Sequence, residues 1–324
     1  GQFVPWMSAG RVTELQHSGD EVVRETGWVF NNETGDGLTL EQFVLTGDQE
    51  VPAYLTVFGL RDPSNDDKTM VEIGCGIGRM TCAFTREFGT VIAGDLDAGF
   101  LERCHETVGR FGKLDRLRTV HIADGHTLDL KPDSVDLAFS YITFQHCDAD
   151  DALDLTSEAV RVVKPGGKVA PNYRSRSGYD VVLLPLGGLM RLLFRLPGVG
   201  GWLAQRRTLA RLGWQANRLE PDEIIGPLSP LLRDVEIWRN PKSKTSGYKA
   251  TIKGTQPDGK DERKVQEIQS LARKTLLAAA LVLPVFIVEM GGHVFPALHH
   301  YVAMTIGEQT SRVLQFLLIA ITLI

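Results

Sequence analysis

The stretch VEIGCGIGR at residues 71–79 joins an apolar strand to a glycine-rich loop. Met70 to Ile73 is typical of a short buried strand, and three glycines then follow at alternate positions. This spacing allows a tight turn and lets a ligand approach the bare backbone. A helical pattern resumes from Arg79 to Phe88, so we expect the N–H groups at the start of that helix to face the ligand. A nicotinamide-type loop would place its third glycine at position 79, which is Arg.

Acidic residues follow the ends of the next two predicted strands. Thr90 to Gly94 is predicted to be the second strand, and it leads into Asp95 and Asp97. An acid about 20 residues after the first glycine is where a doubly wound fold holds a ribose diol. Asp95 is therefore the predicted ribose ligand, and Asp97 is the predicted N-cap of the following helix. Residues 121–125 (HIADG) end a third strand with another acid.

Two later segments continue the alternation of strands and helices. Residues 134–141 (SVDLAFSY) are predicted to form the fourth strand, and residues 142–146 follow it. Residues 163–169 (VKPGGKV) are predicted to be the turn that leads into the fifth strand. This alternation predicts an α/β fold with a parallel sheet that is covered on both faces.

The region after the fifth strand is predicted to be an insertion and a closing hairpin. Residues 183–214 are apolar, rich in glycine and contain several arginines. Residues 235–238 and 247–254 are typical of a hairpin, because apolar and polar residues alternate in the second of them. The insertion, residues 176–232, is the predicted lid over the substrate, and its composition favours a hydrophobic small molecule or a lipid.

The four motifs, in this order, resemble those of class I S-adenosylmethionine (SAM)-dependent methyltransferases, closely over residues 70–173 and more loosely over 20–253. The resemblance implies a Rossmann-like α/β fold: a seven-stranded, mostly parallel sheet with helices on both faces. It also implies SAM as cofactor and methyl transfer by in-line attack of a substrate nucleophile. Holding donor and acceptor close together can supply most of the catalysis, without a catalytic side chain.

The resemblance also implies roles for individual residues. The acid before the loop and the glycines would hold the methionine part of SAM, Asp95 the ribose, Asp124 the adenine and residues 140–142 the sulfur side. His146 is the candidate catalytic base, and the alternative is a histidine that closes the pocket wall. No metal site is predicted. The predicted cofactor-binding residues are Glu72, Gly74, Cys75, Gly76, Gly78, Asp95, Leu96, Asp124, Gly125, Ser140, Tyr141 and Ile142.

Composition narrows the class of protein. The chain has 324 residues and a formal net charge of −5, and it lacks a cluster of basic residues with interleaved aromatics, so we expect no nucleic-acid partner. Its four cysteines form no Cys-x-x-Cys pair, which favours a reduced, cytoplasmic compartment. The chain begins at Gly1 rather than Met, which leaves its native start open.

The C-terminal residues differ in character from the rest. From Thr275 to Gly307 the only charged residue is Glu289. Residues 270–324 resemble the early membrane helices of copper-transporting P-type ATPases, although none of that family's catalytic motifs follows. We therefore predict a methyltransferase domain over 1–254, a charged linker over 255–270 and a truncated, transmembrane-like helical hairpin over 271–324, which would anchor the chain to a membrane.

Three hypotheses about function follow. The first is a SAM-dependent methyltransferase that acts on a small-molecule or lipid-like acceptor. The second is a fragment of a fused membrane metal-transport protein, which is suggested by the C-terminal residues; a gene fusion, a frameshift or a truncated assembly would each explain them. The third is a module that binds SAM without activity.

Overall fold

The computed structural model describes one part of the chain in detail. Contacts divide the chain into two units, Gly1–Thr255 and Gln256–Ile324, and all the described residues belong to the first. Among the helices that are described, none is long and apolar enough to cross a bilayer. The predicted linker and membrane-like hairpin lie outside the described residues, so they and the domain boundary stay predictions. The described residues are 18–30, 37–194, 198–204, 217–240 and 245–253, with Val12, Glu14 and Leu196.

A seven-stranded sheet with strand order β3-β2-β1-β4-β5-β7-β6 forms the centre of the first unit. Strands β1 to β5 pair in parallel, and β7 runs antiparallel to both of its neighbours. The predicted Rossmann-like, mostly parallel sheet is confirmed. The strands are β1 (Thr69–Ile73), β2 (Thr90–Asp95), β3 (Leu117–His121), β4 (Val135–Ser140), β5 (Val163–Arg174), β6 (Leu232–Asn240) and β7 (Thr245–Ile252).

Helices connect β1 to β2, β2 to β3 and β4 to β5. The strand order moves outward from β1 in both directions, and right-handed crossovers in opposite directions place their helices on opposite faces of the sheet. The helices between β1 and β3 therefore cover one face, and the helix between β4 and β5 covers the other. The helices are α1 (Gly19–Phe30), α2 (Leu40–Val57), α3 (Thr81–Glu87), α4 (Ala98–Phe111), α5 (Ala149–Val162), α6 (Asp180–Phe194), α7 (Val199–Ala204) and α8 (Pro221–Leu228).

Local sequence signals explain where two of these helices begin. A capping box starts α2, because the Thr39 hydroxyl accepts from the Gln42 N–H and the Gln42 side chain accepts from the Thr39 N–H. The Asp97 carboxylate starts α4 by accepting from the N–H groups of Gly99 and Phe100, at 2.9 and 3.2 Å. The predicted role of Asp97 as an N-cap is confirmed.

Some boundaries differ from those predicted. The helix after the glycine loop begins at Thr81 rather than Arg79, because the residues before it form turns. The predicted turn at 163–169 lies within β5, whose pairing with β4 shifts register between Val135 and Leu137. The closing hairpin is confirmed as β6 and β7, and the alternate residues Tyr248, Ala250 and Ile252 are buried.

The insertion between β5 and β6 is fixed at its base by buried polar contacts. Arg218 donates to Asp180 at 3.0 Å, and both side chains are at most 9% exposed. The Asn217 amide donates to the carbonyl oxygens of Phe144 and Cys147, at 2.6 and 2.8 Å. The insertion is therefore tied to the segment that follows β4.

Candidate active site

A cavity of about 420 Å³ opens at the carboxyl ends of the central strands. Its wall includes residues at or just after the ends of β1, β2, β3 and β4. Strands β2 and β4 flank β1 on opposite sides, so the cavity lies at the point where the strand order reverses. Ligands of open α/β sheets bind at this switch point.

The glycine loop forms one wall of this cavity, and its shape requires glycine. The N–H groups of Gly74 and Cys75 both donate to the Gly94 carbonyl, at 2.7 and 3.0 Å. Gly74 and Gly76 have φ of +83° and +54°, a region that disfavours other residues. A Cβ on Gly74 would collide with Thr143, and one on Gly76 would lie 2.9 Å from the Phe30 ring. Cys75 is a buried residue of the loop.

The Asp95 carboxylate is half-buried and holds the loop in place. Its Oδ2 accepts from the Gly76 N–H at 2.8 Å, and its Oδ1 accepts from the Asp97 N–H at 3.1 Å. Burial raises the pKa of Asp95 to about 6, although these N–H groups favour the ionised form. A carboxylate oxygen has more than one lone pair, so Asp95 can accept a further hydrogen bond from a hydroxyl.

Glu72 is a second acid at the cavity and is buried, at 5% exposed. Its Oε2 accepts from the Thr81 hydroxyl at 2.7 Å, so its side chain contacts the start of α3. Burial raises the pKa of Glu72 to about 7, against the lowering effects of Thr81 and Arg79. Arg79 forms an ion pair with Glu50 at 2.8 Å and also lines the cavity.

Asp124 and Gly125 line the cavity after β3. The N–H groups of His126 and Thr127 donate to Asp124 Oδ1, at 3.0 and 2.8 Å. These bonds lower the pKa of Asp124 to about 2, so it is ionised at neutral pH. This end of the cavity is therefore more polar and more exposed than the end at Glu72.

The end of β4 contains a strained residue. Ile142 has φ of +59°, which is costly for a β-branched side chain. Its N–H donates to the buried Asn172 side chain at 3.0 Å, and Asn172 in turn donates to the Ser246 carbonyl at 3.3 Å. The neighbouring Tyr141 ring lies 4.4 Å from the Tyr54 ring, centroid to centroid. These contacts hold the turn against the cavity.

His146 is buried and lines the cavity. Its Nε2 lies 3.1 Å from the Gln145 side-chain nitrogen, within hydrogen-bond distance. Its backbone N–H donates to the Thr143 carbonyl at 2.9 Å. Both contacts fit a histidine of the pocket wall, and the role of His146 as a base remains a hypothesis.

Most of the predicted site residues lie together, but two do not line the cavity. The Ser140 hydroxyl donates to the Ile73 carbonyl at 2.9 Å within the sheet. Gly78 faces Cys104 of α4 rather than the cavity. The predicted residues that line it are Glu72, Gly74, Cys75, Gly76, Asp95, Leu96, Asp124, Gly125, Tyr141, Ile142 and His146.

Sequence analysis missed an aromatic part of the wall. Phe30, Phe43 and Phe100 come from three different helices, and the Phe30 ring lies 5.1 Å from that of Phe100. No local pattern identifies them. Thr143 and Cys147 were also missed, although their position after the predicted fourth strand was a usable signal.

Metal binding has no support in the described part of the chain. There, no group of three or more His, Cys, Asp or Glu side chains is placed to hold an ion. The C-terminal histidines lie outside the described residues.

Residues 71–170 match the family model described as a methyltransferase domain. This segment runs from β1 into β5 and contains the glycine loop, Asp95 and Asp124. Strands β1 to β4 and much of the cavity wall therefore lie within a segment that is similar to a methyltransferase domain, which agrees with the resemblance. The expectation of SAM as methyl donor agrees with this match.

Two curated proteins are similar to parts of the chain. Phosphoethanolamine N-methyltransferase 1 from Triticum aestivum is 27% identical over 164 residues, which are 49% of this chain and 32% of that protein. Copper-transporting ATPase 1 from Rhizobium meliloti (strain 1021) is 37% identical over 76 residues, 22% of this chain and 9% of that protein. The chain thus spans a third or less of each. The second match agrees with the expected resemblance to copper-transporting ATPases, but it covers only 76 residues.

A solved structure with a similar arrangement is magnesium protoporphyrin IX methyltransferase from Synechocystis PCC 6803 with bound SAH. Its TM-score is 0.45 and its sequence identity 14%, over 72% of this chain and 97% of that one.

Proposed function

We propose that the first unit is a SAM-dependent methyltransferase that acts on a small, hydrophobic acceptor. The observation that carries the proposal is the cavity at the switch point of the sheet, where the glycine loop, Asp95 and Asp124 meet. The match of residues 71–170 to a methyltransferase domain supports the same class of reaction.

The donor would lie along the ends of β1, β2 and β3. The loop N–H groups and Glu72 would hold its methionine part, Asp95 its ribose hydroxyls, and Asp124 with Gly125 its adenine. Tyr141 and Ile142 would flank the sulfur, because they follow β4 on the other side of the loop. The strain at Ile142 supports a role in positioning, since strained residues cluster at functional sites.

The two acids with raised pKa values suit a cationic ligand. Glu72 and Asp95 have raised pKa values because burial disfavours their charged forms. SAM has a sulfonium and an ammonium group, and a nearby positive charge favours an ionised carboxylate. Binding of SAM would therefore offset the free-energy cost of ionising these two carboxylates, which the ligand-free site carries at neutral pH.

The reaction itself needs no enzyme nucleophile. A lone pair of the acceptor attacks the methyl carbon while the bond from that carbon to sulfur breaks, and the electron pair stays on sulfur. The products are the methylated acceptor and S-adenosylhomocysteine, and any acceptor proton leaves to water or to a base. We assign His146 to the wall, because its Nε2 is already engaged by Gln145.

The acceptor class follows from the rest of the lining. Phe30, Phe43, Met80 and Leu155 make much of the wall apolar, and pockets of this kind bind hydrophobic molecules through a few polar groups. A small acceptor with an apolar body therefore fits better than a polynucleotide.

Two measurements on the full chain test the proposal. Calorimetry should show micromolar binding of SAM and S-adenosylhomocysteine and none of NAD or ATP. A labelled methyl group should also be transferred from SAM to at least one member of a panel of small hydrophobic acceptors. Failure to bind SAM would overturn the proposal, whereas binding without turnover across the panel would favour a SAM-binding module without activity.

A further inference from the structure

Arg79 is a buried cation in the wall of the cavity. Its side chain is 8% exposed, and it lines the cavity together with Glu72 and Met80. Among the described residues of that wall, it is the only Lys or Arg. A buried charge is costly unless it is paired and hydrogen-bonded. The partners of each guanidinium nitrogen therefore show what Arg79 can still bind.

Helix α2 fixes one end of the guanidinium. Nη1 of Arg79 donates to the Thr46 hydroxyl at 3.1 Å and to the Glu50 carboxylate at 2.8 Å. The guanidinium carbon also lies 5.8 Å from the centroid of the Phe43 ring, within reach of a cation–π contact. A Cβ on Gly47 would collide with the Arg79 carbonyl oxygen, so α2 packs directly against this backbone. These contacts orient the guanidinium before any ligand binds.

The other edge of the guanidinium is available to a ligand. Both hydrogen bonds to α2 come from Nη1, whereas in the described part of the chain Nε and Nη2 donate to no protein group. The N–H groups of Nε and Nη2 form a planar fork that matches the two oxygens of a carboxylate. A side chain that is more than nine-tenths buried, with such a fork in a cavity wall, indicates a site for an anion.

The charges near Arg79 narrow the chemistry of this anion. Glu72 lines the same cavity, and Arg79 lowers the pKa of its carboxyl group, so the two side chains are close enough to interact. An acid and a base at one end of a cavity are complementary to an α-amino acid, which has an ammonium group and a carboxylate on one carbon. SAM and S-adenosylhomocysteine (SAH) both have such an end.

We propose that the Nε–Nη2 edge of Arg79 binds the α-carboxylate of the methyl donor and so positions its methionine end. This inference rests on the proposed function and adds to it a residue that reads one group of the donor. Asp95 and Asp124 would hold the adenosine part independently. Loss of Arg79 should therefore affect only ligands that have the carboxylate.

Calorimetry on the full chain with two ligands tests the proposal. SAH and its decarboxylated analogue, S-adenosyl-3-thiopropylamine, differ only in the carboxylate. Wild type should bind SAH at least about tenfold more tightly than the analogue, and Arg79→Met should remove this preference by weakening SAH alone. Arg79→Lys keeps the charge but not the fork, so its affinity for SAH should lie between the two.

A matched control separates binding from stability. Arg86→Met also removes an ion pair between α3 and α2, with Asp48, but neither residue lines the cavity. This variant should bind both ligands like wild type. Equal weakening of SAH and the analogue in Arg79→Met would indicate a structural role and overturn the proposal.

An acceptor could bring the same chemistry to Arg79, and one further titration distinguishes this source. Benzoate should bind SAH-saturated wild type and SAH-saturated Arg79→Met alike, because the donor already occupies the fork. Unchanged affinity of Arg79→Met for SAH would overturn the proposal, and a loss of benzoate binding in that variant would then assign the fork to an acceptor carboxylate. Absence of SAH binding by wild type would overturn the proposed function as well.

Discussion

The central strands and helix α6 contain similar apolar residues but place them differently. Val71 of β1 and Phe139 of β4 are at most 1% exposed, whereas Val182 and Leu192 of α6 are 67% and 58% exposed. The central strands have a neighbour on each side and helices on both faces, but α6 meets the described part of the chain on one side. Burial of an apolar run thus depends on how many of its faces the topology covers, not on its composition.

Two glycines, one in the loop after β1 and one just before α6, should differ in their response to the same change. Gly74→Ala should abolish SAM binding and lower the free energy of unfolding by about 2 kcal/mol or more, because φ is +83° and Thr143 blocks the Cβ. Gly178→Ala, in the insertion, should change neither quantity by more than about 0.5 kcal/mol, since nothing lies within 4 Å of its Cβ. Calorimetry and urea denaturation measure both. Equal effects would contradict the contrast.

Two arginines of the insertion should differ according to burial. Arg218→Met should lower the free energy of unfolding by about 3 kcal/mol, because it leaves the Asp180 carboxylate buried without its cation. Arg176→Met removes an exposed ion pair with Glu223 and should cost about 0.5 kcal/mol or less. Urea denaturation of the two variants is the measurement. A small cost at Arg218 would mean that the insertion is not fixed at its base.

The two sides of α6 should differ even at adjacent residues. Met190→Ala should cost about 2 kcal/mol, because this side chain is buried against the core. Leu189→Ala should cost about 0.5 kcal/mol or less, since half of its surface is already in water. Comparable losses in thermal unfolding would show that Leu189 is covered in the free protein.

The smallest predicted effect is on the pH dependence of SAM binding. Glu72 has a pKa of about 7 in the ligand-free protein, raised by burial, so a cationic ligand should release protons as it binds near neutral pH. Affinity should rise by up to about tenfold as pH increases towards 7 and then level off. The free protein should instead lose stability as pH rises from about 4.5 to 7, because the folded state disfavours the ionised form.

Titrations in buffers of different ionisation enthalpy would measure the released protons. Glu72→Gln should remove most of the release and flatten the pH profile. Unchanged release in that variant would exclude Glu72 as the source.

Much of the fold and part of the site could be predicted, because both are encoded locally. Glycines and acids at strand ends form short patterns, and parallel strands bring those ends to one edge of the sheet. The aromatic wall could not be predicted in this way, since Phe30, Phe43 and Phe100 meet only through tertiary packing. The strained turn at Ile142 also has no local signal, because a β-branched residue occupies a position that favours glycine.

Ser140 shows the limit of carrying a motif over from a family. Its place at the end of β4 predicted a cofactor contact, but its hydroxyl bonds to the carbonyl of Ile73 on the adjacent strand. Successive side chains of a strand point to opposite faces of the sheet, so a side chain at a strand end can point towards the cavity or away from it. A motif that locates the strand does not determine this.

The most direct test of the account compares SAM binding in Asp95→Ala and Asp97→Ala. Asp95 lines the cavity, whereas Asp97 caps α4, two residues further on. We predict that Asp95→Ala weakens binding by about 1–3 kcal/mol, because a charged acceptor for hydroxyls is lost. Asp97→Ala should lower stability by about 1 kcal/mol and leave SAM affinity nearly unchanged. Unchanged affinity in Asp95→Ala, or no SAM binding by the wild-type chain, would contradict the assignment of this cavity to the methyl donor.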